Sequence, residues 1–169
     1  MKTHDRYYFT RDGLERLRLR VAEARAAFRA VCDDNPAAAE AGDNSVWHDN
    51  FAYEDNQRKM QMLARRVREL ETVLESAVVV TPEASLGAVA LGSRVHYCFE
   101  DDPTERACVI AGFDDGDVRT GRVAYNSPFG SQLLGARAGD AVEVRLAGRT
   151  RVLELLRVGL PDEEGRCEA

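Results

Sequence analysis

Residues 14–31 read LERLRLRVAEARAAFRAV, and residues 60–77 read MQMLARRVRELETVLESA. In the first stretch Leu14, Leu17, Val21, Ala24, Phe28 and Val31 follow one another at alternating steps of three and four. In the second, Met60, Leu63, Val67, Leu70, Leu74 and Ala77 do the same over the same length. That spacing keeps an apolar stripe on one side of an α-helix and is the seam of a coiled coil. Two stripes of matching length and step order predict two helices that face each other. If they run antiparallel, facing residues have numbers of constant sum: Leu14 meets Ala77, Leu17 meets Leu74, Val21 meets Leu70 and Val31 meets Met60, each pair adding to 91. Carried further, the same register sets Asn35 against Asn56, Ala38 against Tyr53 and Gly42 against Asp49. The hairpin is therefore expected to turn within 42–49, where Gly42, Asp43, Asn44 and Ser45 are turn-forming residues. Thr10 stands where an N-cap hydroxyl would satisfy an orphan backbone N–H of a helix opening near Arg11. A helix from 11 to 41 would be about 45 Å long at ~1.5 Å per residue, a rod. Pro36 falls inside this pattern and is expected to kink it or to start a separate last turn, because proline lacks the N–H and crowds the preceding turn.

Charge is segregated along the rod. From Ala30 to Gln57 there is no Lys or Arg, whereas Asp33, Asp34, Glu40, Asp43, Asp49, Glu54 and Asp55 all lie there. The other end mixes signs, with Arg16, Arg18, Arg20, Arg25, Arg65, Arg66 and Arg68 among its acids. Solvated helix faces usually intersperse the two signs, which gives i,i+4 support. An end of one sign gives up that support, and its mutual repulsion is relieved only by a cation or a basic partner. The formal net charge of −6 excludes a protein that coats duplex DNA by neutralising phosphates, so any nucleic-acid contact has to be local.

The second half has another texture. Val78–Val80 is a β-prone exit from the hairpin, and residues 81–87 form a proline-containing linker. Strand-like runs follow at Arg94–Phe99, Arg106–Phe113, Gly121–Tyr125, Ala141–Leu146 and Thr150–Leu156, with turn clusters at Asp101-Asp102-Pro103 and Asp114-Asp115-Gly116. Ser127 followed by Pro128 is an N-cap with proline in the first helical position, opening a short helix through Leu134 that Gly135 ends. The fold class is thus α+β: an N-terminal antiparallel α-helical coiled-coil hairpin over 1–80, then a small antiparallel β domain with one short helix over 88–160, and a tail at 161–169. Cys32, Cys98, Cys108 and Cys167 include no C-x-x-C pair and no histidine at ligand spacing, so neither a zinc site nor a disulfide framework is legible. Free thiols suit a reducing cytoplasm. No run of about 18 apolar residues exists, and the opening residues hold no apolar signal core, so the expectation is a cytoplasmic protein with no membrane contact.

These residues carry a resemblance that covers nearly the whole chain. YYFTRDGLERLRLRV (7–21) is similar to the opening helix of the GreA/GreB transcript-cleavage factors, and GDNS (42–45) to their hairpin tip. HDNFAYEDNQ (48–57) and ARRVRELETVLESAVVV (64–80) are similar to the descending helix, and LGSRVHYCFED (91–101) to the first strand of the C-terminal domain. SPFGSQLLGARAGDAVEV (127–144) is the most specific match, combining Ser127-Pro128, Leu133-Leu134-Gly135 and Gly139-Asp140 at the family's spacing. The resemblance implies a FKBP-like C-terminal domain that docks on RNA polymerase at the mouth of its secondary channel, while the hairpin tip reaches the active site. It further implies that two acidic tip residues help hold Mg²⁺ when bound to polymerase, so that the polymerase itself cleaves the 3′ end of backtracked RNA. No cofactor is expected in isolation, and a monomer is expected. Carried residue by residue, the resemblance makes Asp43 and Asp49 the catalytic and metal-holding acids, with Asn44, Ser45 and Asn50 as tip contacts; Trp47 and His48 are tip-contact candidates on their own account, as an aromatic ring and an imidazole expected at the apex. It makes Ser127, Pro128, Phe129, Leu133 and Gly135 the polymerase-docking residues.

The chain departs from the family at the tip. The family's acids are separated by two residues in a G-D-x-x-E-N core, whereas here Asp43 follows Gly42, Val46 occupies the place of the glutamate, and the carboxylate before asparagine is Asp49. This reads as a three-residue insertion, and it brings Trp47 and His48 to the apex. Two other outcomes share the fold: an inhibitory secondary-channel regulator that does not cleave, and a binding module like the nucleoside diphosphate kinase regulator, whose hairpin is shorter than these seams. A peptidyl-prolyl isomerase is a further possibility for a FKBP-like domain. It needs an aromatic-lined pocket, for which Tyr97, Phe99, Phe113, Tyr125 and Phe129 are few and scattered in the sequence. The bland readings are that Asp43 belongs to a turn, that Asp49 caps the second helix, and that Phe129 and Leu133 pack on the sheet.

Overall fold

The structure, a computed structural model, describes residues 6–34, 51–81, 87–146 and 148–160, with only the backbone of 51 and 52. The chain divides into two compact units: Met1–Glu15 with Ala77–Ala169, and Arg16–Ser76.

The unit Arg16–Ser76 is helical. Helix α1 spans Arg11–Asp33 and α2 spans Phe51–Glu75. The Thr10 hydroxyl accepts from the Gly13 N–H at 3.1 Å, the N-cap expected from the sequence. Burial follows the two stripes. Leu17, Val21 and Leu70 are buried, and Leu14, Ala24, Phe28, Val31, Met60, Leu63, Val67 and Leu74 are half-buried, while Arg18, Leu19, Met62 and Arg66 between them are exposed. An ion pair joins the helices, Arg25 Nε donating to Glu71 Oε1 at 2.8 Å. Helical side chains lean about one turn toward their own N-terminus. Arg25 stands one turn after Val21 and Glu71 next to Leu70, so the ion pair joins stretches that each hold a buried seam residue. Ala77, the last residue of the second stripe, lies in a strand rather than in the helix. Pro36 and the turn at 42–49 lie outside the described residues.

The other unit carries a curled, mixed sheet. Its five strands β3 (Arg94–Phe99), β4 (Asp102–Ala111), β5 (Arg122–Ala124), β6 (Ala141–Leu146) and β7 (Arg149–Gly159) stand in the order β5-β4-β3-β7-β6. The pairs are antiparallel except at one edge, where β5 runs parallel to β4 with Val109 opposite Arg122. The sequence suggests an antiparallel sheet throughout. The difference arises between Gly112 and Gly121, where the chain returns to the start of its own path: the 3-10 turn Val118–Thr120 follows Asp117, and Asp117 and Arg122 exchange backbone hydrogen bonds at 2.9 Å. Helix α3, Pro128–Leu133, covers the core built from Val89, Val95, Phe99, Cys108, Ile110, Leu133, Val144, Leu153 and Leu155.

One element is absent from the sequence reading. Tyr7–Phe9 forms β1, which pairs parallel with β2, Ala77–Val79, and Val80 N–H adds a bond to Phe9 O at 2.8 Å. Phe9 is fully buried, and the Phe113 N–H donates to Tyr8 O at 3.0 Å. The rings of Tyr7 and Phe113 sit 4.4 Å apart, and that of Tyr125 lies 6.4 Å from both Tyr8 and Phe113.

Candidate functional site

The most specific stretch of sequence, 127–144, folds into a tightly fixed knuckle. Ser127 caps α3, its Oγ accepting from Gly130 N–H at 2.9 Å, and Pro128 takes the first helical turn, where no N–H is needed. Gly130 packs so close to the preceding strand that a Cβ there would lie 2.3 Å from the Ala124 carbonyl oxygen. Gly135 ends the helix at φ +83°, a left-handed conformation open to glycine, and its N–H donates to Val89 O at 2.8 Å. Gln132 Oε1 accepts from Arg145 N–H at 3.0 Å, tying the helix to β6.

Of the five docking candidates, Pro128 and Gly135 are exposed and Ser127 and Phe129 half-buried. Leu133 is a correction: it is 0% exposed, sealed in the core, because a six-residue helix has one face to give and turns this side chain into the sheet. Phe129 packs partly inward as well, its ring 5.7 Å from that of Tyr97. The large apolar side chain that this helix end does present is Leu134, 40% exposed, which sequence reasoning passed over for its neighbours. Six residues hold too few turns for the period to tell which of two adjacent leucines faces out.

Beside the knuckle, the β3–β4 turn holds a charged lattice. Arg151 stacks on the Phe99 ring, 3.7 Å from its centroid, and also pairs with Asp101, while Arg106 approaches the same ring at 5.1 Å and pairs with Asp102 at 2.6 Å. The Arg151 guanidinium holds the Asp101 carboxyl below its ordinary range. Thr104 and then Arg106 draw that of Asp102 down to about 2. Across the sheet, Glu105 accepts from Arg157 at 2.6 Å and meets His96 Nδ1 at 2.8 Å, and these two, Arg157 first, lower its pKa. Burial raises the Tyr97 hydroxyl. The five aromatics weighed for an isomerase pocket fall into two groups: Tyr97, Phe99 and Phe129 in one, Phe113 and Tyr125 with the β1 tyrosines in the other.

Asp43, Asn44, Ser45, Trp47, His48, Asp49 and Asn50 lie outside the described residues. The described flank of the acidic run shows where that run ends: Asp55 pairs with Lys59 at 2.6 Å and Glu54 with Arg58 at 3.5 Å, so the first basic residues after the run answer its last acids. Asp33 and Asp34 are exposed. Among the described residues no group of His, Cys, Asp and Glu is arranged to hold a metal ion. Among the described residues Cys32, Cys98 and Cys108 form no disulfide. No described helix is long and apolar enough to cross a membrane.

Two family models cover both units in order: "Transcription elongation factor, N-terminal" over residues 7–79, and "Transcription elongation factor, GreA/GreB, C-term" over 83–159. The chain belongs to the GreA/GreB family of transcription elongation factors. It is 37% identical over 153 residues to transcription elongation factor GreA of Chloroflexus aurantiacus, covering 89% of this chain and 96% of that one. It is 35% identical over the same length to GreA of Chloroflexus aggregans. Among solved structures it is similar to the crystal structure of GreA factor homolog 1 (Gfh1) of Thermus thermophilus, at 22% identity and a TM-score of 0.43 over 91% of this chain and 99% of that one. As a GreA/GreB-type transcription elongation factor, the protein has RNA polymerase as its partner.

Proposed function

We propose that this elongation factor acts in the polymerase secondary channel, with the β unit docked at the channel mouth and the acidic end of the hairpin directed to the active site. There it would promote cleavage of the 3′ end of backtracked RNA by the polymerase's own catalytic centre. The single observation that carries this reading is the run from Ala30 to Gln57: seven acids and no Lys or Arg, set at the distal end of two matched apolar stripes. An end of one sign is costly alone and is relieved where a cation waits. The donor set suits Mg²⁺: Asp43 and Asp49 offer hard carboxylate oxygens, and this ion is usually held by one or two carboxylates together with substrate phosphates. A bound Mg²⁺ supplies charge neutralisation and an oriented water for phosphodiester hydrolysis. The work of this chain is to deliver and orient the carboxylates, with Asn44, Ser45, Trp47, His48 and Asn50 as contacts around them. Pro128, Leu134 and Gly135 are the docking surface, and Ser127 and Phe129 fix its shape. The protein works as a monomer in the cytoplasm.

A second reading rests on a specific observation: Val46 stands where the family's glutamate is expected. An inhibitory regulator would occupy the channel without supporting cleavage. Backtracked elongation complexes decide between the two. Wild-type protein is expected to shorten the RNA from its 3′ end, with Asp43→Ala and Asp49→Ala each abolishing this without loss of binding. Binding without any shortening would establish the inhibitory reading, and absence of binding would remove both.

A further inference from the structure

The residues after β4 follow the start of the chain closely. Gly112 packs so near β1 that a Cβ there would lie 2.8 Å from Phe9 Cδ1 and 3.1 Å from the Tyr8 carbonyl oxygen, and the next N–H, of Phe113, donates to that oxygen at 3.0 Å. Asp114 takes φ +50°, a left-handed conformation that aspartate tolerates better than most residues, and its N–H is held by Asn126 Oδ1 at 3.0 Å. This bend turns the chain back at Asp115. Its N–H donates to Gly112 O at 3.3 Å, and its side chain, 7% exposed, lies against Gly13. A Cβ on Gly13 would stand 3.1 Å from Asp115 Oδ2 and 3.1 Å from Thr10 Oγ1, and that hydroxyl is already committed as the cap of α1. Glycine is a poor helix former, and its place in the first turn of this 23-residue helix lets the carboxylate come so close. A carboxylate is also favoured there by the positive end of the helix dipole.

We propose that Asp115 is a positioning residue: packed on Gly13, it grips the first turn of α1 and so roots the leading helix of the hairpin in the β unit. Phe9, Thr10, Gly13, Gly112 and Asp115 all belong to the compact unit that carries the sheet, whereas α1 runs on unbroken to Asp33. What holds the first turn therefore holds the root of the hairpin. The consequence for RNA cleavage rests on the function proposed above; the grip itself does not.

Hydrogen exchange on the full chain, read by mass spectrometry over peptides from 7–15 and from 20–33, tests the grip. Alanine in place of glycine in a helix by itself slows opening, by about fivefold. With Asp115 held in place the sign reverses: Gly13→Ala is expected to speed exchange in 7–15 by about three- to tenfold and to change 20–33 by less than about twofold. In an Asp115→Ala background, which makes room for the methyl group, the same Gly13→Ala is expected to slow exchange in 7–15. Slower exchange from Gly13→Ala in the otherwise unaltered chain would overturn the grip, because the carboxylate would then have moved aside. Equal acceleration in both backgrounds would overturn the role of Asp115 and leave the crowding to Thr10. Cleavage kinetics separate positioning from stability. On backtracked elongation complexes, at a temperature at which both proteins are folded, Asp115→Ala is expected to lower the rate of RNA shortening at saturating factor several-fold. The factor concentration that gives half the maximal rate should stay within about twofold. An unchanged maximal rate would overturn the positioning role. Should the unaltered protein shorten no RNA, the cleavage reading itself has failed, and the exchange measurements decide alone.

Discussion

The β unit and the hairpin hide their apolar groups in different ways. In the β unit Val95, Ile110, Leu133, Val144, Leu153 and Leu155 are each at 0% exposure, enclosed by the sheet, by α3 and by one another. Among the described residues of the hairpin unit only Leu17, Val21 and Leu70 are buried apolar side chains, and the remaining seam positions are half-covered. A two-helix seam has one partner side and leaves the flanks to solvent, so its stability accrues turn by turn. A closed core binds every strand to every other. The largest expected effect is therefore Leu155→Ala, which would cost about 4 kcal/mol, within the range for a leucine removed from a core that collapses little. Leu70→Ala, in the half-open seam, would cost about 2 kcal/mol, because its surroundings relax into the space. Chemical denaturation followed by far-ultraviolet circular dichroism and by an aromatic probe of the β unit checks both. If the two substitutions cost the same and shift both signals together, the contrast fails and the chain unfolds as one body.

A smaller effect sharpens the contrast by leaving the core untouched. Ser127→Ala removes the cap of α3, whose acceptance from Gly130 N–H is a local bond, and would cost about 1 kcal/mol. It should also loosen the knuckle that presents Pro128 and Leu134, so polymerase affinity is expected to fall several-fold while the helical signal of the hairpin is unchanged. A titration of core polymerase with the variant reads this directly. Unchanged affinity would mean that the cap serves stability alone.

The same contrast explains what was legible in the amino-acid sequence. Helices α1 and α2 announce themselves because the 3.6-residue period repeats over many turns, and the pairing of two equal stripes follows from counting. Strands β3 and β6 match the sequence reading residue for residue, because turn residues bracket them. β1 was missed: Tyr7-Tyr8-Phe9 is too short to show a two-residue period, and what makes it a strand is a parallel partner about seventy residues away. The parallel edge of the sheet was missed for a related reason, since strand direction there depends on the path from Gly112 to Gly121 and not on the composition of β5. Of the site, the cap, the proline and the terminating glycine of α3 were readable because each obeys a local rule. The choice between Leu133 and Leu134 was not, because it is settled by tertiary packing.

The smallest expected effect lies at the half-buried Asp102–Arg106 pair of the β unit and separates electrostatics from burial. Asp102 Oδ1 accepts from the Thr104 N–H at 3.1 Å, and Oδ2 pairs with Arg106 at 2.6 Å. Thr104 and then Arg106 lower its pKa from the ordinary 3.8 to about 2. A carboxyl with a lower pKa in the folded state than in the unfolded chain favours folding when ionised. Its contribution is complete above pH 3.8 and fades as pH falls toward about 2, since both states are protonated below that. Asp102→Asn cannot ionise and lacks this dependence. The stability gap between wild type and Asp102→Asn should therefore be constant from pH 7 to pH 5 and should narrow between pH 4 and about 2. The gap should also shrink with added salt, because the Arg106 pair is only half-buried and therefore partly screened. Denaturation midpoints of the two proteins over this pH series give the answer. A gap that persists undiminished at the acid end would show that the side chain matters through its shape and its bond to Thr104, and that its charge contributes nothing.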